Sequence, residues 1–168
     1  MSMMEEHRRD QRIKANFALL ITSDVRTHKT DETGRTARRL LEEAGHRVVA
    51  HQIVGNDIEA IRKTLRGYLE DDGVDAILIS GGTGVSSKDR TIEAVEPLLE
   101  RELPGFGEIF RMLSYQEIGA AALLSRAKAG LAAGKPIFCL PGSVSAVRLA
   151  LEKLILPLIG HLLWEVRR

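Results

Sequence analysis

One cysteine, Cys139, stands in 168 residues, so no disulfide can form within the chain. It lies in the apolar run Ile137-Phe138-Cys139-Leu140, which predicts a buried thiol rather than a nucleophile. Aromatic residues make up only 4% of the chain, which leaves little to stack on single-stranded nucleic acid. Charge of one sign is missing too. The 24 Lys and Arg balance 23 Asp and Glu to a net +1 with neutral histidines, so a polyanion-binding surface is not expected. No apolar run approaches the roughly 20 residues of a membrane span. The five histidines show no ligand spacing with each other or with Cys139, so a zinc site is not expected. The first residues are charged with no apolar segment behind them, which predicts no secretory signal and a cytoplasmic location.

What is present is the composition of a globular domain, 44% hydrophobic and 28% charged. Residues 1–14 read as a charged N-terminal tail and residues 15–168 as a single domain. Phe17–Thr22 is an apolar run of strand length. Leu40, Leu41, Ala37 and Ala44 recur with helical period, and Gly45 closes that helix. A second strand covers His46–Ile53. Ile58, Ile61, Leu65 and Leu69 form the stripe of the next helix. Val74–Ile79 is a third strand. Thr91 is placed as N-cap of the helix behind it, and Pro97 kinks or restarts that helix. A break at Pro104-Gly105 precedes a helix to Ile118 whose inner face is Phe106, Ile109, Phe110 and Leu113. Ala127–Leu131 and Pro136–Leu140 are strands joined by a link too short for a parallel crossover, so they pair antiparallel. A last helix ends near Pro157. The alternation predicts a three-layer α/β fold: a mostly parallel sheet with one antiparallel strand and helices on both faces.

The most informative stretch is Ser80-Gly81-Gly82-Thr83-Gly84, followed by Val85-Ser86-Ser87-Lys88-Asp89. It reads as strand, glycine-rich turn, helix start. Either this is an ordinary strand-to-helix turn, or its N–H groups form a nest for a phosphate-sized anion. It is not a P-loop, because no Lys-Ser or Lys-Thr follows the last glycine. Nor is it a dinucleotide fingerprint, because Ser87 takes the place of the closing glycine. Ligands of open parallel sheets bind at the carboxyl ends of the strands. That position makes Thr22, Ser23, Asp24 and Arg26 candidates, with a turn-capping role for Asp24 as the alternative. Asp57, at a helix start, is either a dipole cap or, with Asp24 and Asp89, part of a converging Mg²⁺–phosphate site. Lys88 and Arg90 either neutralise a phosphate or face solvent. A Cβ at Gly82 is expected to intrude where the backbone meets phosphate, harming binding more than folding.

These motifs together resemble the MogA/MoaB family of molybdenum-cofactor biosynthesis. The resemblance rests on Ser80–Gly84 with Asp89, on Pro104-Gly105-Phe106-Gly107-Glu108 with Arg111 and Ser114, and on Pro141-Gly142-Ser143. It runs in order from about residue 15 to 160. Around Arg111–Gly119 it is closer to the MoaB type. The resemblance implies a molybdopterin adenylyltransferase with Mg²⁺, ATP and molybdopterin. Asp57 and Asp89 match the acidic catalytic and Mg²⁺-holding positions. Thr22, Ser23, Asp24, Ser80, Gly81, Gly82, Thr83, Gly84, Pro141, Gly142 and Ser143 line the substrate pocket. Some MoaB-type members do not catalyse the reaction, so a non-catalytic molybdopterin-binding or scaffold protein is the alternative. The family also implies a homotrimer or homohexamer. Independently, the last helix is apolar on most sides, from Ala146 to Ile159, and predicts an exposed patch that another copy or the N-terminal tail would cover.

Overall fold

The computed structural model describes residues 12–168. Most of the charged N-terminal stretch, and with it the tail as a cover for the last helix, lies outside the described residues. Of its end, Ile13 packs against the core and Lys14 Nζ donates to Ala44 O at 2.9 Å.

Six strands form one sheet: β1 (Asn16–Thr22), β2 (Arg47–Val54), β3 (Ala76–Ser80), β4 (Arg101–Glu102), β5 (Lys128–Ala132) and β6 (Lys135–Leu140). Their order is β2-β1-β3-β6-β5-β4. β2, β1, β3 and β6 run parallel. β5 is antiparallel to both its neighbours, so it alone runs against the rest, as the short link predicts. That link turns at Ala133 and Gly134, with φ of 50° and 71°, the left-handed pair of a tight hairpin.

Alternation along the central strands sorts the core into two faces. Phe17, Leu19, Leu78, Phe138 and Leu140 point to one. There they meet α1 (Glu32–Glu43), α4 (Pro104–Ile118), α5 (Val144–Ala150) and α6 (Leu156–Arg167). Ala18, Leu20, Ile77, Ile79 and Cys139 point to the other face, against α2 (Ile58–Glu70) and α3 (Thr91–Val95). The expected three-layer, mostly parallel architecture is therefore the one observed. Burial pushes the Cys139 thiol up to about 12, consistent with a structural residue.

Five local expectations are corrected. Thr91 is the first residue of α3 and Arg90 takes the cap position; the Thr91 hydroxyl is turned back to Gly81 O instead. β4 was not anticipated, since two residues offer no period to detect. Pro104 begins α4 rather than breaking it, because the first helical turn needs no N–H from it. On α4, Phe106, Phe110 and Ser114 are buried, while Ile109 is 45% exposed. The last helix does not end near Pro157. A π-helical turn, Leu151–Ile155, precedes Pro157, and α6 continues to Arg167. The wider turn lies just ahead of Pro157, whose nitrogen has no hydrogen to donate.

The last helix also lacks the expected apolar patch. Val147, Leu149, Ala150, Leu151, Ile155 and Ile159 are all buried within the chain, and Leu158 and Trp164 are the large apolar side chains exposed there. The helix is apolar on several sides because α1, α4 and the sheet surround it. The exposed apolar side chains gather instead on α4 and the following 3₁₀ turn (Gly119–Leu124): Ile109, Met112, Tyr115, Ile118, Leu123 and Leu124.

Candidate functional site

A cleft of about 680 Å³ opens at the carboxyl ends of the parallel strands. Thr22, Ser23 and Asp24 reach it from the end of β1, Gly81–Gly84 and Asp89 from the end of β3, and Pro141, Gly142 and Ser143 from the end of β6. Its remaining wall comes from α4 and the 3₁₀ turn, through Phe110, Ser114, Glu117, Ile118 and Leu124. Arg26 and Lys88 also line it. Two expected site residues do not. Ser80 is buried and its hydroxyl donates to Pro141 O at 3.0 Å, tying two of the loops together. Asp57 is exposed and caps α2, its Oδ2 accepting from Ala60 N at 2.8 Å.

The glycine-rich turn is held by its carbonyls. Gly81 O accepts from the Thr91 hydroxyl at 2.6 Å and Gly82 O from Thr91 N at 3.0 Å. Thr83 O accepts from Arg126 N at 2.9 Å and Gly84 O from Arg126 Nε at 2.8 Å. A trans peptide turns the next N–H away from each carbonyl. The N–H groups of Gly82, Thr83, Gly84 and Val85 accordingly donate to no protein atom among the described residues. Four successive free amides in a turn are what an anion nest requires. The turn depends on glycine at two positions, Gly81 and Gly82, with φ of 104° and 68°. Gly142 packs against this turn: a Cβ there would stand 3.3 Å from Gly81 Cα, a tight contact.

Two carboxylates flank the nest. Asp89 Oδ2 accepts from Ser86 N at 3.0 Å, leaving Oδ1 without a protein donor. Asp24 is gripped by Asn56, whose N–H donates to Oδ1 at 2.9 Å and whose Nδ2 donates to Oδ2 at 3.2 Å. The backbone bond first, then the side-chain bond, holds the Asp24 carboxyl below its ordinary value, and the Lys88 ammonium adds to this. With Nδ2 committed to Asp24, Asn56 Oδ1 is buried without a partner. Arg26 closes the other side, donating to Gly142 O at 2.8 Å and to Thr33 Oγ1 at 2.7 Å. Behind the turn, Arg126 pairs with Glu93. Its hydrogen bond, ahead of the Coulomb attraction, holds the Glu93 carboxyl below its ordinary value and raises the Arg126 guanidinium.

The sequence did not single out Asn56, Glu93 or Arg126. Asn56 precedes a helix cap and reads locally as part of that turn. Arg126 lies 42 residues from Gly84, and no local pattern couples them.

Fold and site define a class: a three-layer α/β protein that presents a backbone-amide nest and two carboxylates to one cleft. Residues 18–161 match the family described as "Probable molybdopterin binding domain". The chain belongs to this family, which includes the MoaB and MogA proteins of molybdenum-cofactor biosynthesis. It is 44% identical over 166 residues to molybdenum cofactor biosynthesis protein B of Bacillus subtilis, covering 98% of each chain. To the protein of the same name from Bacillus cereus it is 47% identical over 165 residues, covering 97% of each. Among solved structures, a molybdenum cofactor biosynthesis protein B superposes with a TM-score of 0.90 at 46% identity, over 93% of this chain and 98% of that one. The tungsten cofactor synthesizing protein MoaB from Pyrococcus furiosus gives 0.79 at 33%, over 92% and 98%. No helix among the described residues is long and apolar enough to cross a membrane.

Proposed function

We propose that this protein transfers an adenylyl group from Mg²⁺-ATP to the terminal phosphate of molybdopterin, releasing pyrophosphate. The observation that carries the reading is the row of four free amides from Gly82 to Val85, opening between Asp24 and Asp89. Nucleotidyl transfer asks a protein for positioning and charge neutralisation rather than covalent help. A phosphate oxygen of molybdopterin attacks the α-phosphorus of ATP; the new P–O bond forms as the bond to pyrophosphate breaks. The substrate phosphate is already ionised near neutral pH, so no protein base is required. The amides hold phosphate oxygens, and Lys88 offsets their charge from the cleft wall. A Mg²⁺ ion takes oxygen ligands. Asp89 Oδ1, which carries no protein contact, fits that need; Asp24 is the second carboxylate on the wall. The ion would screen charge between the phosphate groups.

A second reading, binding of molybdopterin without transfer, is favoured by one observation. Of the two acidic positions that the family resemblance assigns to catalysis, Asp57 is spent on capping α2, outside the cleft. Incubating purified protein with molybdopterin and Mg²⁺-ATP separates the two. Pyrophosphate release with formation of adenylyl-molybdopterin is expected. Tight molybdopterin binding with no pyrophosphate would establish the second reading. The same family reading carries assembly into trimers or hexamers, and the apolar face of α4 is the surface available for it.

A further inference from the structure

The nest is built in two halves, and one residue outside the cleft holds the second, through its backbone and its side chain. Thr91 holds the carbonyls of Gly81 and Gly82. Arg126 holds those of Thr83 and Gly84, with its N–H and its Nε. The rest of its guanidinium is anchored on Glu93 in α3, with Nη1 to Oε1 at 2.5 Å and Nη2 to Oε2 at 3.4 Å. A guanidinium is a flat, rigid fork, so fixing one edge on a carboxylate aims the Nε–H.

Arg126 does not line the cleft. It stands in a neighbouring hollow of about 360 Å³ with Val85, Ser87, Arg90 and Glu93, which shares only Asp89 with the lining of the cleft. Gly84 lies on the cleft wall. The Gly84 carbonyl, drawn toward the hollow by Arg126 Nε, turns the following N–H, that of Val85, the opposite way. Gly84 has no side chain to resist a peptide flip, and Val85 is exposed. No other side chain holds the Gly84 carbonyl among the described residues, whereas the Thr83 carbonyl is held by the backbone N–H of Arg126.

We propose that the Arg126 side chain, anchored by Glu93, is a positioning group that presents the Val85 amide to a phosphate group in the cleft. This inference rests on the reading of the cleft as a phosphate site. Arg126 does not itself touch an anion in the cleft, because it does not line the cleft. Its contribution is to fix the Val85 amide in advance, so that none of the ligand's binding energy goes into ordering it.

The test measures binding of inorganic pyrophosphate and of Mg²⁺-ATP by calorimetry to wild type, Arg126→Lys, Arg126→Met and Glu93→Gln. A well-aimed hydrogen bond to a charged group is worth a factor of roughly ten to a hundred in affinity. Arg126→Lys and Arg126→Met are expected to lose that factor alike, since lysine keeps the charge but not the fork. Glu93→Gln keeps the Nε bond without its anchor and should lose less affinity while urea unfolding shows it folded at the assay pH; it covers the case in which an Arg126 variant fails to fold. Hydrogen exchange supplies a second readout: ligand should protect the Val85 amide in wild type and not in Arg126→Lys, while the Gly84 amide, set by the backbone N–H of Arg126, behaves alike in both. If Arg126→Lys binds as wild type does, or if only its charge matters so that lysine rescues and methionine does not, the positioning role is overturned while the phosphate reading stands. If wild type binds neither probe, the phosphate reading fails, and this inference with it.

Discussion

Replacing Gly82 with alanine separates backbone strain from collision. Gly82 has φ of 68° and Gly134, in the β5–β6 turn, has φ of 71°. A left-handed conformation costs an L-residue about 1–2 kcal/mol relative to glycine, so both substitutions carry that charge. Around Gly134 a Cβ meets nothing within 4 Å, and the cost ends there. At Gly82 it would overlap Thr91 Oγ1 and approach Thr22 Oγ1 and Asn56 Oδ1, each at 3.1 Å. Thr91 is fully buried, and its hydroxyl is bonded to Gly81 O. Moving it forfeits a buried hydrogen bond, about 1 kcal/mol, and forces a packed site apart, roughly 1–3 kcal/mol more. Gly82→Ala should therefore cost about 3–6 kcal/mol and Gly134→Ala about 1–2 kcal/mol. Urea unfolding followed by circular dichroism reads both. Equal losses at the two sites would refute the collision. So would a Gly82→Ala protein of normal stability that had lost only ligand affinity. That last outcome is the one expected from sequence, where a Cβ at Gly82 points at the phosphate; the structure points it at Thr91.

Asp89→Asn should abolish adenylyl transfer with the urea midpoint unchanged; normal turnover in the purified variant would remove Asp89 from the reaction. Asp57→Ala should lose about 1 kcal/mol of stability through the missing cap, while Asp57→Asn, which still caps, keeps both stability and turnover. Loss of turnover in Asp57→Asn at unchanged stability would return that carboxylate to the chemistry. Glu93 is depressed below its ordinary 4.5 by Arg126. Its contribution is therefore complete above 4.5 and is lost as pH falls through the lower folded value. Wild type should lose more stability than Glu93→Gln below about pH 4.5, and parallel curves would show that the pair adds nothing. Light scattering should find a trimer or hexamer that Met112→Lys with Ile118→Lys dissociates; an unchanged assembly would move the interface off α4.

The order of the longer elements, the parallel core and the antiparallel pair were legible in the sequence, because each depends on local information; the two-residue β4 was not. Short Ile-rich runs, helical stripes and a link too short to cross over settle strand, helix and direction within a few residues. The place of the site was legible for the same reason: glycines, small polar residues and aspartates cluster just after β1, β3 and β6. Other features could be settled only in three dimensions. Whether the last helix exposes its apolar sides depends on how many neighbours surround it, which periodicity does not count. Whether an aspartate after a strand caps a helix or faces a cleft depends on the partners it meets: Asp57 accepts from Ala60 N, whereas Asp24 is held on the cleft wall by Asn56. The free amides of the glycine-rich turn exist because Thr91 and Arg126 occupy its carbonyls. One of these partners is ten residues from Gly81 and the other 42 from Gly84. Hydrogen bonds across such distances are set by the packing of α3 and the 3₁₀ turn against the sheet, so only the tertiary structure decides them.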